Sequence, residues 1–289
     1  MISIIVPVYN EEKSISKTLT DIATEFKDFN EYELIVVNDG STDNTVKILQ
    51  ELKLKNFSVI DHVENLGYGK ALFNGIIAAK YSCIAIIDGD GSYPAESIKE
   101  LYKYYPQYHM VVGARQGREY NKGMLKRPAR ILFKHLTEYA CGRKIPDVNS
   151  GLRIFNKEIV LTFQDSLCTG FSFTTTLTLI FLLNHFYVKY IPIDYFKREG
   201  KSKVRHFKDT LRAAQIIIEA FIYYNPLKLF LLIAIFNAIS GLFLWILNSY
   251  YINSQVINIV SGICVASFVP IFSMGLLAEQ LRKIYKNNK

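Results

Sequence analysis

ISIIVPVYNEEKSISKTLTDIATEFKDFNEYELIVVNDGSTDNT, residues 2–45, decides how the rest of the chain is read. Ile2 to Val8 is continuously apolar. It is too short for a signal peptide and lacks a basic start or a cleavage site, so it reads as a first β-strand. Lys13 to Phe26 has helical spacing, and Tyr32 to Val37 is again a continuous apolar run. Strands apolar on both faces and joined by a helix belong to a mainly parallel sheet covered on both sides. The alternation continues with helix Thr45 to Leu52, strand Phe57 to Ile60, helix Gly69 to Lys80 and strand Cys83 to Ile87. The predicted class is α/β, and about 225 residues before the apolar C-terminus suffice for one such domain.

Ligands of parallel sheets bind at the carboxyl ends of the strands. Those ends read Pro7-Val8-Tyr9-Asn10-Glu11-Glu12, Asn38-Asp39-Gly40-Ser41-Thr42-Asp43-Asn44-Thr45 and Asp88-Gly89-Asp90-Gly91-Ser92-Tyr93-Pro94. Taken singly, Ser41 to Asn44 would cap a helix, and Asp88 to Pro94 would be a turn with Pro94 as first helical residue. Taken together, Glu11, Asp39, Asp88 and Asp90 on one rim repel one another unless a cation lies among them. A D-x-D pair suits Mg²⁺ or Mn²⁺, which takes one or two carboxylates and fills its shell with water and phosphate oxygens. Asn65-x-Gly67-x-Gly69-Lys70 opens a helix whose N-terminus and lysine favour an anion. It has neither the Walker nor the G-x-G-x-x-G spacing.

Two long apolar runs follow, Leu229 to Leu247 and Val256 to Ala278, of 19 and 23 residues and free of charged side chains. Each is long enough to cross about 30 Å of hydrocarbon. The expected connector, Asn248 to Gln255, is an uncharged loop with Tyr250 and Tyr251 at the interface. Lys228 precedes the spans and Arg282, Lys283, Lys286 and Lys289 follow them, which places the N-terminal body in the cytoplasm. Gly241, Gly262 and Gly275 could pack spans within one chain or between chains of a homo-oligomer. The expected organisation is a catalytic domain over 1–207, a juxtamembrane amphipathic helix over 208–228 and a two-helix membrane anchor with a basic tail over 229–289.

The net charge is +8, and nine Lys/Arg lie between Arg115 and Lys144 against Glu119 and Glu138. A second basic cluster runs from Lys197 to Arg212. Beside membrane spans such clusters attract anionic headgroups; no nucleic-acid reading module accompanies them. Four cysteines without a C-x-x-C pair fit a reducing compartment and exclude a zinc cage. Apolar stripes over Met124 to Ala140 and Lys208 to Tyr224 suit either core packing or an interfacial helix.

Through these motifs the chain resembles glycosyltransferase family 2 enzymes of the GT-A fold, and among them the dolichol-phosphate mannose synthase-like, polyprenyl-phosphate glycosyltransferases. The resemblance continues in Val112-Gly113-Ala114-Arg115, Asp147-Val148-Asn149-Ser150-Gly151-Leu152-Arg153, Gly170-Phe171-Ser172-Phe173 and Arg198-x-Gly200-Lys201-Ser202-Lys203. It implies a Rossmann-like GT-A catalytic domain that transfers a hexose with inversion from a GDP- or UDP-sugar to dolichyl or undecaprenyl phosphate. It further implies that Pro7, Tyr9, Glu11 and Asp39 hold the nucleotide and that Asp88 and Asp90 hold the metal and diphosphate; Lys70 joins the nucleotide ligands from its place at the helix start. Ser92 stands where the mannose synthases commonly have Gln, as the candidate third ligand. Arg115, Arg130, Arg198 and Lys203 are the candidate ligands of the acceptor phosphate, with Arg127 competing with Arg130. Arginine offers phosphate a planar two-point contact. A processive polysaccharide synthase shares the nucleotide-binding front, but its usual Gln-x-x-Arg-Trp motif is missing, since the one tryptophan, Trp245, lies in the first span. A catalytically silent membrane scaffold would not need Asp39, Asp88 and Asp90.

Overall fold

Ile2–Val8 forms strand β1, with all seven residues buried. In the computed structural model the described residues are 1–29, 31–117, 127–164, 167, 172–198, 215 and 218–287; 127–130, 132–133 and 285–287 are described for their backbone alone. The chain divides into two compact units, Met1–Ala213 and Ala214–Lys289.

The first unit is built on seven strands in the order β3-β2-β1-β4-β6-β5-β7. These are β1, β2 (Tyr32–Asn38), β3 (Phe57–Asp61), β4 (Cys83–Ile86), β5 (Met110–Gln116), β6 (Arg153–Asn156) and β7 (Val188–Asp194). β6 runs antiparallel to both β4 and β5, and the other pairs are parallel. Helices α1 (Ile15–Glu25), α2 (Thr45–Glu51), α3 (Tyr68–Ala78), α4 (Glu96–Tyr102), α5 (Arg127–Cys141), α6 (Lys157–Thr162) and α7 (Phe173–Leu183) lie between them.

Alternate residues of β1 feed two separate cores. Ile2, Ile4, Val6 and Val8 pack with Leu34, Val36 and the α1 stripe Ile15, Leu19 and Ile22. Ile5 turns to the other face with Ile35, Val37, the α3 residues Leu72 and Ile76, and Phe173 and Leu177 of α7. Each fully buried aliphatic or aromatic side chain contributes about 1.5–3 kcal/mol, which is why the central strands have no polar face. Pro7 fits inside β1 because β1–β4 pairing runs only from Ser3 to Ile5, so its missing N–H falls beyond the ladder. Order reverses between β1 and β4, and the loops that leave these two strands bound the crevice of a topological switch point. α4 begins at Glu96 rather than at Pro94.

The second unit holds α8 (Pro226–Leu247), a π-helical turn (Asn248–Ile252), α9 (Gln255–Ala266) and α10 (Phe268–Asn287). Two stretches, Pro226–Ile252 and Gln255–Ile284, are long and apolar enough to cross a membrane. Phe236, Ile239 and Leu277 are among their many exposed apolar side chains, unlike those of a soluble core helix. The expected eight-residue loop is corrected: helix continues to Ile252, and Asn253, in the left-handed region at φ 54°, makes the turn. Asn248 explains it, because its amide accepts from Ser254 N–H at 2.8 Å and donates to Asn258 Oδ1 at 2.8 Å. This satisfies Asn258 inside the apolar pair. The second span is two helices meeting at Ser267, because Pro270 has no N–H for the carbonyl four residues before it. A Cβ at Gly241 would lie 2.8 Å from the Ser261 carbonyl oxygen and one at Gly275 2.7 Å from Phe230, so both glycines pack within the chain. Residues 218–224 are helical, and the expected amphipathic helix over 208–228 otherwise lies outside the described residues up to 214 and at 216 and 217.

Candidate active site

The loop after β1 is stitched to the loop after β2. Ser41 Oγ accepts from Asn10 N–H, Thr45 Oγ1 from Glu11 N–H and Asp43 from Glu12 N–H, while Asn10 Oδ1 accepts from Thr42 N–H at 2.7 Å. Asn10 holds φ 52°, a left-handed conformation that asparagine tolerates better than most residues. Asn44 is the N-cap of α2 but its side chain makes no cap bond; Asp43 instead accepts from Thr45 N–H at 3.0 Å. Ser14 carries the stitching onward, donating to the Gly89 carbonyl at 3.0 Å. Tyr9, Glu11 and the D-x-D loop thereby share one rim, as the strand ends predicted.

Asp39 folds back onto the loop that precedes α3. Its carboxylate accepts from Leu66 N–H and Gly67 N–H, both at 2.9 Å, and meets His62 Nδ1 at 2.8 Å. It therefore takes two amides of the glycine loop just before α3, whose own first amides begin at Tyr68. Gly67, at φ 100°, makes this approach possible. Lys70 stands in the first turn of α3, near the Phe73 ring.

Tyr68, the residue after Gly67, links this loop to the acidic pair, its hydroxyl donating to Asp88 Oδ1 at 2.8 Å. Burial first, and then the Asp88 charge, push the Tyr68 hydroxyl well above its ordinary range, so it stays a donor. Gly151 covers the other side of Asp88: a Cβ there would sit 2.3 Å from Asp88 Oδ2. Gly151 N–H in turn donates to the Tyr93 hydroxyl at 2.7 Å. Asp90 is 2% exposed, and its Oδ1 accepts from Ser92 N–H at 3.0 Å and from Ser92 Oγ at 2.5 Å. Ser92, the candidate third ligand, is fully buried and donates to Asp90. Asp90 Oδ2 accepts from Arg198 Nη2. Arg198 reaches it because Phe196 N–H is held by the Ser92 carbonyl at 2.9 Å.

Arg115, at the end of β5, gives Nε and Nη2 to Asp147 at 2.7 and 2.9 Å, and its guanidinium lies 5.4 Å from the Tyr195 ring centre. Burial would raise the Asp147 carboxyl, but the Arg115 charge and hydrogen bonds hold it below its usual range. Arg153 is fully buried and, among the described residues, has no carboxylate within ion-pair distance. It donates to the Ser150, Val148 and Thr174 carbonyls at 3.0, 3.1 and 3.1 Å and to Thr178 Oγ1 at 3.0 Å. It thus fixes the loop that carries both Asp147 and Gly151. Tyr68, Tyr93, Asp147, Gly151 and Arg153 acquire these roles only in three dimensions, although all five lie in motifs legible in the sequence. The side chain of Arg130 and all of Lys203 lie outside the described residues, as does the Gly170-Phe171 part of its motif.

Burial first, then the Asp90 carboxylate, push the Asp88 carboxyl up to about 6, with Tyr68, Arg115 and Arg198 pulling the other way. Folding therefore disfavours the ionised form. The cost is absent below the ordinary value of 3.8 and fully present above about 6. A divalent cation between the two carboxylates would remove it. Among the described residues no cage of three or more acidic, His or Cys ligands gathers. Two carboxylates alone fit Mg²⁺ or Mn²⁺, which leave places for phosphate oxygens. Mn²⁺ affinity is expected to be level above pH 7 and to weaken, by up to about tenfold per pH unit, below pH 6. Mn²⁺ titrations between pH 5 and 8 check this; a flat profile would contradict it.

Residues 3–162 match the family model described as Glycosyl transferase family 2. An undecaprenyl-phosphate 4-deoxy-4-formamido-L-arabinose transferase of Photorhabdus laumondii is 28% identical over 301 residues, covering 99% of this chain and 90% of that protein. Its namesake in Proteus mirabilis is 31% identical over 163 residues, covering 55% of this chain, and the match spans only 50% of that relative. Among solved structures, glucosyl-3-phosphoglycerate synthase of Mycobacterium tuberculosis, in complex with Mn²⁺, UDP-glucose and phosphoglyceric acid, superposes with a TM-score of 0.62 at 17% identity, covering 76% of this chain and 79% of that one. The likeness is one of fold, and the fold is GT-A.

Proposed function

This chain belongs to glycosyl transferase family 2 and is a glycosyltransferase, and we propose that it moves a hexose from a GDP- or UDP-sugar to a polyprenyl phosphate, dolichyl or undecaprenyl, on the cytoplasmic face of a membrane. The observation that carries the reading is the pair of half-buried Asp88 and buried Asp90 at the switch point, with Arg198 on Asp90. The acceptor class is supported by the printed names of the relatives and by two apolar stretches of membrane-crossing length. Cytoplasmic placement rests on Lys228 and the basic C-terminal tail.

Pro7, Tyr9, Glu11, Asp39 and Lys70 hold the nucleotide, and Asp88 and Asp90 take the divalent ion. When bound, that ion neutralises the charge gathering on the departing diphosphate. The acceptor phosphate is already an anion, so its oxygen attacks the anomeric carbon with no protein base to remove a proton. One direct in-line displacement inverts that carbon. Arg198 and Arg115 grip the acceptor phosphate, joined by Arg130 and Lys203. Arg198 suits the task because its side chain is 32% exposed beside an almost buried Asp90.

Arg198→Ala is expected to raise KM for polyprenyl phosphate by about tenfold or more, with KM for the nucleotide sugar changed less than about twofold. Steady-state kinetics with each substrate varied separately check this. Equal loss of both affinities would remove Arg198 from the acceptor site.

A further inference from the structure

Asp39 is 3% exposed, and its hydrogen bonds are unevenly shared between its two oxygens. Oδ1 accepts from Leu66 N–H at 2.9 Å and meets His62 Nδ1 at 2.8 Å, whereas among the described residues Oδ2 accepts only from Gly67 N–H at 2.9 Å. The His62 ring, 6% exposed, has Nε2 facing the Asn74 side-chain amide nitrogen at 2.9 Å. An ionised carboxylate only accepts, so Nδ1 carries the proton and Nε2 receives the Asn74 hydrogen. Each carboxylate oxygen has two lone-pair positions. Both on Oδ1 are filled, and Oδ2 keeps one.

A carboxylate repels a diphosphate, so an Asp39 that holds the donor holds its nucleoside part. Guanine presents two N–H groups side by side, N1–H and N2–H, which a bare carboxylate receives with both oxygens. Uracil and thymine present one, N3–H. We propose that His62 is a specificity-determining residue: by filling Asp39 Oδ1 it leaves one acceptor, which suits a 2,4-dioxopyrimidine nucleotide sugar and rejects a guanosine one. The inference rests on the nucleotide-sugar reading above and narrows its donor. A guanine seated there would bury a second donor with no acceptor, a loss of roughly ten- to a hundredfold in affinity.

Calorimetric titration of the purified full chain in detergent with UDP, dTDP and GDP, each with Mn²⁺, tests this. UDP or dTDP is expected to bind at least about tenfold tighter than GDP. His62→Leu frees one position on Oδ1 and should bring the ratio toward unity through tighter GDP binding. His62→Gln, whose amide can still donate to Oδ1, should keep the preference. GDP binding as well as or better than both pyrimidine nucleotides in the unaltered protein overturns the inference and leaves sugar transfer standing. A ratio unchanged in His62→Leu overturns the assignment to His62. Binding of none of the three removes the nucleotide-sugar reading itself.

Discussion

Asp90→Ala is expected to lower sugar transfer by about a thousandfold or more while the protein stays folded and in the membrane fraction. Asp88 Oδ1 already holds the Tyr68 hydroxyl and Asp90 Oδ1 the Ser92 hydroxyl, so the substitution removes the whole of one carboxylate from a two-carboxylate site. A single acid buried beside Arg198 and Arg115 would not compete for a divalent ion at working concentrations. Stability changes little for a physical reason. Ser92 Oγ loses its acceptor, a cost of about 1–3 kcal/mol, but the repulsion between the Asp88 and Asp90 carboxylates is relieved at the same time. Asp90→Asn keeps a side-chain oxygen for Ser92 and should lose transfer to a similar extent, which separates charge from folding. Transfer assays, thermal unfolding and Mn²⁺ titration on the same preparations check it; near-normal turnover in either variant would contradict a metal role for the pair.

Gly151→Ala should lower transfer by about a hundredfold. The added carbon would lie 2.3 Å from Asp88 Oδ2 and 2.6 Å from Asp88 Cγ. The backbone has little room to retreat. Gly151 N–H is held by Tyr93 at 2.7 Å, and the Ser150 carbonyl is held by the buried Arg153 at 3.0 Å. Asp88 must therefore move, and with it the Tyr68 contact that ties the acidic pair to the nucleotide loop. The overpacking should also cost about 1–3 kcal/mol of stability. Kinetics and Mn²⁺ affinity of the alanine variant, compared with Asp88→Asn, check the assignment. Wild-type values of both would show that Gly151 does not set the Asp88 position.

The β1–α1–β2 start was legible because burial on both faces leaves an unbroken apolar signature, and the acids after β1 and β4 followed from where parallel strands end. What escaped the sequence was contact between distant segments. Arg115 and Asp147 are 32 residues apart, and nothing at either position announces the ion pair. β6 has four residues, begins with a buried arginine and runs antiparallel, so neither length nor alternation marks it. Arg153 reads as a surface residue until its three carbonyl partners are seen. His62 follows β3 with no ligand spacing to other histidines, and only the folded loop brings it to Asp39. In the second unit the run lengths were readable, but Asn248 extends the first helix and Pro270 divides the second, both through local hydrogen bonding that hydropathy does not report.

The most direct measurement uses the purified full chain with labelled UDP- and GDP-sugars and a polyprenyl phosphate, reading label that moves into an organic extract with and without EDTA. The account predicts extractable sugar–lipid carrying one sugar, its loss with EDTA and its return with Mn²⁺. Transfer that ignores EDTA, label that grows into polymer, or no transfer with any donor in the panel would contradict it.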